Sequence, residues 1–183
     1  MSYPQFLKHK FDCLEIICFL AWKQNYYGVW YSDETSDGFL TQDYELIAFS
    51  SEKAATEFIR LHTSYQRPVT TTIYDLDKVK QMIDHQQPLS PCVMLEFWNI
   101  AEDLSGSVNA SFLGELKDDL TNQIYDKLFY GNNLPEINTS GQIYVPQFTD
   151  EEWQKLEDIL SDAIFVITNI FKGSRNENGG ISN

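Results

Sequence analysis

At 183 residues the chain is long enough for one ordinary domain or at most two very small ones. Apolar residues make up 43% and aromatic residues 14%, which excludes a disordered chain. Twenty-seven acidic side chains against 13 Lys plus Arg give a formal charge of -14 and a pI near 4.4. That balance repels phosphate, so direct binding to nucleic acid or an anionic membrane is disfavoured and basic partners are favoured.

The apolar run from Phe11 to Trp22 is interrupted by Asp12 and Glu15. It therefore lacks the unbroken apolar stretch of a signal peptide and the roughly 20 residues needed to span a bilayer. Cys13, Cys18 and Cys92 are an odd number with no C-x-x-C pair, so neither a zinc site nor a disulfide framework is expected. The expected compartment is the cytoplasm, with reduced thiols.

In chain order, Leu14–Ala21 and Tyr26–Tyr31 are rich in β-branched and aromatic residues and form a predicted hairpin around Lys23-Gln24-Asn25. Ser32–Gly38 is a polar, acidic loop, and Tyr44–Phe49 is a third short strand. Ser50 and Ser51 then cap a predicted helix with Ala54, Ala55, Phe58, Ile59 and His62 at helical spacing. After Arg67-Pro68, Val69–Tyr74 is a fourth strand, and Asp75-Leu76-Asp77 opens a short helix through Val79, Met82 and Ile83. Pro88 and Pro91 frame the next helix, in which Val93, Phe97, Ile100, Leu104 and Val108 make a buried stripe.

A further helix is predicted from Glu115 to Tyr130, with Leu116, Leu120, Ile124 and Leu128 at i+4 intervals. Gly131-Asn132-Asn133-Leu134-Pro135 ends it, and Gln142–Val145 is one more candidate strand. Thr149-Asp150-Glu151-Glu152 is a capping box for the last helix, which runs towards Gly173. Residues 164–171 either continue that helix or, after a break near Ala163, form a strand. Strands dominate the first half and helices the second, so the fold class is α+β. The expected organisation is a single globular domain over 1–172 with a disordered tail at 173–183.

Charge is uneven. Residues 1–90 carry 12 acidic and 8 basic side chains, whereas residues 91–183 carry 15 and 5. On a helix from Glu115 to Tyr130, Glu115, Asp118, Asp119 and Asp126 fall within about 100° of arc, opposite the leucine stripe. Such a face repels itself by roughly 0.2–0.5 kcal/mol per like-charge pair, and either solvation or a cationic partner relieves it. Glu96, Glu102 and Asp103, with Asn99, point away from the Phe97 stripe and surround Leu95, an arrangement suited to an interface centre or to an ordinary exposed leucine.

Catalytic chemistry finds little support. Asp118-Asp119 and Glu102-Asp103 are adjacent acids, but acid–base work needs a cleft and perturbed pKa values. Asp75-x-Asp77 fits a helix cap better than a metal motif. His9, His62 and His85 have no ligand spacing, so no metal and no cofactor are expected. Cys92, after Pro91 at a helix start, is taken as a packed thiol. Neither a phosphate-binding glycine loop nor a G-x-S-x-G elbow occurs.

Trp98-Asn99 with Glu102-Asp103-Leu104, then Tyr125–Pro135, then Tyr144-Val145-Pro146, together with Phe49–Ala54, resemble bacterial polymorphic-toxin immunity proteins of the contact-dependent growth inhibition kind. The resemblance spans roughly residues 44–170, and Tyr125–Pro135 is its most specific part. It implies a small cytoplasmic antidote, not an enzyme, that binds the C-terminal toxic domain delivered by a neighbouring cell, commonly a nuclease. It also implies no shared catalytic residues and a toxin contact that varies between members. Nuclease toxins are usually basic, and a net charge of -14 would steer this chain towards one. The expected toxin-binding residues are Glu96, Glu102, Asp103, Glu115, Asp118, Asp119 and Asp126, with the Asp33–Gly38 loop an equal alternative as the contact site. An acidic DNA mimic that blocks a nucleic-acid enzyme is the alternative, and a hydrolase using the paired carboxylates is a more distant one.

Overall fold

A computed structural model describes residues 4–21, 24–85, 90–138 and 141–177. The predicted turn at Lys23, Pro88 and residues 178–183 of the expected tail lie outside the described residues. The chain forms two compact units within and beyond the span expected as one domain. The first comprises Met1–Asp77, Gly106–Ala110 and Thr168–Asn183, and the second comprises Lys78–Ser105 and Ser111–Ile167.

The first unit is built on a mixed sheet. After a short helix α1 (Pro4–Lys8), β1 (Cys13–Ala21) and β2 (Gln24–Ser32) form the predicted hairpin, with Cys13 opposite Ser32 and Ala21 opposite Gln24. β3 (Asp37–Phe39) pairs with the end of β2, and β4 (Thr41–Gln42) and β5 (Glu45–Phe49) make a second small hairpin. Asp43 and Tyr44, at φ 56° and 63°, form the two-residue turn between them. Both central residues at positive φ is the geometry that matches the twist of the flanking strands.

Helix α2 (Glu52–His62) follows, its first turn closed by Ser51, whose hydroxyl accepts the Ala54 N–H at 3.2 Å. β6 (Thr70–Asp75) lies parallel to β1, so the strand order is β4-β5-β2-β1-β6. In β1, Ile16, Ile17, Cys18 and Phe19 are all buried, so this central strand shows a continuous apolar run instead of alternation. One core cluster joins Leu14, Ile16, Val29, Leu40, Ile47 and Phe49 to Ala55, Phe58 and Ile59 of α2. A short strand β7 (Arg175–Glu177) pairs parallel to β5, at positions expected to open the tail.

The second unit is helical. It takes in most of α3 (Leu76–Asp84), α4 (Pro91–Ser107) and α6 (Asp150–Gly173), and all of α5 (Asp119–Gly131). A single 3-10 turn, Leu113–Glu115, precedes α5. Met94, Trp98, Ala101 and Leu104 of α4, Ile124 and Leu128 of α5, and Leu156, Ile159, Leu160 and Ala163 of α6 are buried. Met82, Ile83, Met94, Trp153, Leu156 and Leu160 line one small gap, which places α3, α4 and α6 side by side there. The fold class is therefore α+β, with the sheet in the first half and the longer helices in the second.

One open alternative is resolved and three local expectations are corrected. α6 is continuous through residues 164–171, because helical burial continues at Val166, Ile167 and Phe171. Gln142–Val145 forms no strand, since among the described residues no backbone pairs with it as a sheet neighbour. Leu95 is 6% exposed, so it is a core residue and no interface centre. The helix expected from Glu115 starts four residues later, at Asp119. Asp118 has extended backbone and caps α5 instead, which leaves Leu116 48% exposed.

Candidate functional site

The later start of α5 separates the acids that sequence spacing placed on one helical face. Glu115 sits in the 3-10 turn, where its Oε1 accepts the Ser105 hydroxyl at 2.7 Å. Asp118 accepts the Thr121 N–H at 2.7 Å and lies 3.6 Å from Lys155 Nζ. The backbone N–H of Thr121, with Lys155 adding to it, holds the Asp118 carboxyl below its ordinary pKa. Glu102 lies 3.9 Å from Lys117 Nζ, and Glu96 accepts the Cys92 thiol at 3.1 Å. That hydrogen bond, more than partial burial, pushes the Cys92 thiol up, the opposite of an activated nucleophile. Asp103 is half-buried on α4. Asp119 and Asp126 are exposed on α5 and make no ion pair among the described residues.

Asp119, Asn122, Gln123, Asp126 and Tyr130 are all exposed, and their spacing traces one outward face of α5 that ends at the helix C-terminus. Beyond that end the chain makes a long irregular loop back to Thr149. Gly131, the last residue of α5, precedes it: a Cβ there would stand 2.8 Å from Pro91 Cβ and 3.1 Å from Pro146 Cγ, so only glycine fits between the two rings. Within the predicted helix-ending stretch Gly131-Asn132-Asn133, the residue in the left-handed region is Asn133, at φ 51°. Its side chain ties the loop together, donating from Nδ2 to the Gly131 and Tyr144 carbonyls, both at 2.9 Å, and accepting the Tyr144 N–H at 2.6 Å. Asn138 Nδ2 adds a bond to the Gln142 carbonyl at 2.5 Å.

The far end of the loop is fixed by charge. Glu152, 5% exposed at its side chain, receives Lys127 Nζ at 2.5 and 2.7 Å, and Lys127 also donates to the Gln147 carbonyl at 2.8 Å. Glu152 closes the predicted capping box as well: its Oε2 accepts the Thr149 N–H at 2.7 Å, and its own N–H donates to the Thr149 hydroxyl at 3.2 Å. Hydrogen bonds from Lys127 first and Thr149 second hold the Glu152 carboxyl below its usual range.

Between these anchors the loop turns apolar side chains outwards. Ile143 is 80% exposed and Val145 63%, and Tyr130, Leu134, Ile137 and Tyr144 are also exposed. Of these, all but Val145 border, with Phe129, an open cavity of about 410 Å³. Sequence reasoning took the acids as the site and missed this loop. The signal was present: from Leu128 to Gln154 the sequence has no Lys, Arg or His, but carries Glu136, Asp150, Glu151 and Glu152 among its apolar residues.

Two of the stretches that carried the family resemblance, at Trp98-Asn99 and at Tyr125, meet within the helical unit. The Trp98 and Tyr125 rings stack edge to face at 5.5 Å, and the Tyr125 hydroxyl donates to Asn99 Oδ1 at 3.1 Å. Burial, with the Glu102 charge adding to it, pushes the Tyr125 phenol up, so it stays a neutral donor. Among the described residues no group of three or more His, Cys, Asp and Glu is placed to hold a metal ion, and no helix is long and apolar enough to cross a membrane.

No protein-family model matches the chain, and no curated protein matches it. Among solved structures, the crystal structure of the SatS C-terminal domain in complex with bromine is similar at a TM-score of 0.47 and 10% identity. The alignment covers 90% of this chain and 94% of that one. A likeness of that degree carries no argument about function.

Proposed function

We propose that this chain is a binding protein of the immunity type: a non-enzymatic antidote that captures a cognate bacterial toxin domain and blocks its active site or substrate path. A basic nuclease domain is the partner that the charge favours. The observation that carries the reading is the outward face of α5, on which Asp119 and Asp126 are exposed and make no ion pair among the described residues, and which ends at a pinned loop of exposed apolar side chains. Acidic residues around an apolar centre suit a cationic protein surface, drawing it in by long-range attraction and excluding water on contact. Apolar surface alone would be a liability, but a contiguous patch on a constrained backbone is characteristic of a contact site.

Of the seven acids expected to meet the toxin, this reading gives the leading role to Asp119 and Asp126. Glu96, Glu102, Glu115 and Asp118 are engaged by neighbouring groups, and Asp103 flanks them. The test is capture of partners from the native host on the tagged full chain, with elution along a salt gradient. The retained protein is then assayed for nucleic-acid cleavage with and without this chain. The expected result is one basic domain, released by salt, whose cleavage stops on addition of the chain and resumes with the Asp119→Lys/Asp126→Lys variant. Several unrelated DNA-binding proteins would point to the DNA mimic instead. A captured domain whose activity is untouched would contradict the proposal.

A further inference from the structure

Building on the partner reading above, we infer that the cavity beside Tyr130 receives one large apolar side chain from a cationic segment of the partner, whose Lys or Arg residues are held by Asp126 and Glu136. Three features specify that occupant.

The first is size and lining: about 410 Å³, bordered by Phe129, Tyr130, Leu134, Ile137, Ile143 and Tyr144. This is within the range of small-ligand sites and ample for an aromatic ring. The second is the state of the polar groups. The amides of Asn133 and Asn138 border the cavity but are bonded to the loop backbone at Tyr144 and Gln142, so a polar ligand would have to compete with those bonds. An apolar side chain leaves them intact. The third is charge. Glu136 is exposed within the loop and Asp126 lies one helical turn before Tyr130, while the stretch from Leu128 to Gln154 has no cation and Lys127 is held by Glu152. An anionic segment would meet repulsion from Asp126 and Glu136, with no cation in that stretch to offset it. Because the loop is already tied at Asn133 and Glu152, little ordering cost remains on binding.

Amide NMR on the full chain tests this with three peptides: Lys-Gly-Trp-Gly-Lys, Lys-Gly-Ala-Gly-Lys and Glu-Gly-Trp-Gly-Glu. The first is expected to shift the amides of Tyr130, Leu134 and Ile143 and to bind about tenfold or more tightly than the alanine peptide. The glutamate peptide is expected to bind more weakly than the first, with the gap narrowing as salt is added. Ile143→Lys changes a solvent-exposed side chain, so its fold is retained while the tryptophan contribution is lost. Equal affinity for the tryptophan and alanine peptides, shifts confined to other surfaces, or full binding by Ile143→Lys would overturn the inference. If toxin neutralisation persists while the peptides fail, the cavity assignment falls and the antidote reading stands. If the peptides bind as expected but no toxin is neutralised, the cavity stands and the antidote reading falls.

Discussion

Two loops of this protein are pinned in the same way and finished in opposite ways. In the sheet unit, Asp33 anchors the turn between β2 and β3. Its Oδ1 accepts the Thr35 N–H, the Thr35 hydroxyl and the Ser36 N–H within 3.0 Å, and Oδ2 lies 2.7 Å from His9 Nε2. The Thr35 backbone N–H above all holds the Asp33 carboxyl well below its usual range. What that turn presents to water is polar: Glu34, Thr35 and Ser36. In the helical unit, Asn133 ties the loop after α5 with the same kind of side-chain-to-backbone bonds, yet that loop presents Ile143, Tyr144 and Val145. A polar turn on a rigid anchor needs no explanation beyond solubility. An apolar one does, since nothing in the loop's own stability requires those side chains to face outwards.

The largest effect expected from breaking this arrangement is at the base of the second loop. Glu152→Gln removes the charge that Lys127 faces in a buried pair and should lower stability by about 2–3 kcal/mol, read by denaturant titration. The same variant sharpens a pH test. Because the native Glu152 carboxyl titrates below its ordinary value of about 4.3, its contribution is complete above that pH and disappears as pH falls through the depressed value. The stability gap between wild type and Glu152→Gln should therefore close on acidification below about pH 4.3 and stay constant from pH 6 to 8. Gly131→Ala comes next, at about 1–2 kcal/mol, because the new methyl must displace two proline rings.

Asn133→Ala and Asn133→Gly separate two roles of one residue. Both lose the bonds to Tyr144, so amide exchange at Tyr144 should quicken in each. The alanine variant should be the less stable by about 1 kcal/mol, since it alone must hold φ 51° with a non-polar Cβ. The parallel variant in the first loop, Asp33→Ala, should quicken exchange only at Thr35 and Ser36. The smallest effect is the most informative for the comparison: Ile143→Ser should change stability by less than about 0.5 kcal/mol while weakening partner binding. A large loss of stability in Ile143→Ser would mean that the side chain packs for the fold and not for a partner.

Much of this fold was legible because its signals are local. The β1–β2 hairpin, the Ser51 cap and the Thr149–Glu152 capping box each depend on residues a few positions apart. The β3 and β4 strands were not: β3 lies in a polar stretch read as loop, and the turn between β4 and β5, made of Asp43 and Tyr44, carries no glycine to announce it. Leucine spacing extended α5 backwards to Leu116, although Asp118 three residues before Thr121 is itself a capping pattern. Gln142–Val145 has strand composition but no partner, and strands exist only in pairs. Lys127 and Glu152 are 25 residues apart, so their meeting is a product of tertiary packing. The acids of the candidate site were visible as a charge excess, but which of them remain unengaged depends on Ser105, Lys117 and Lys155, which no spacing rule brings near.

The central claim is that the face running from Asp119 through Tyr144 is where a partner lands. Hydrogen exchange of the full chain, alone and with the captured toxic domain, tests it most directly. Slowed exchange concentrated in residues 119–145 is the predicted result. Slowing confined to the sheet unit, with 119–145 unchanged, would contradict it.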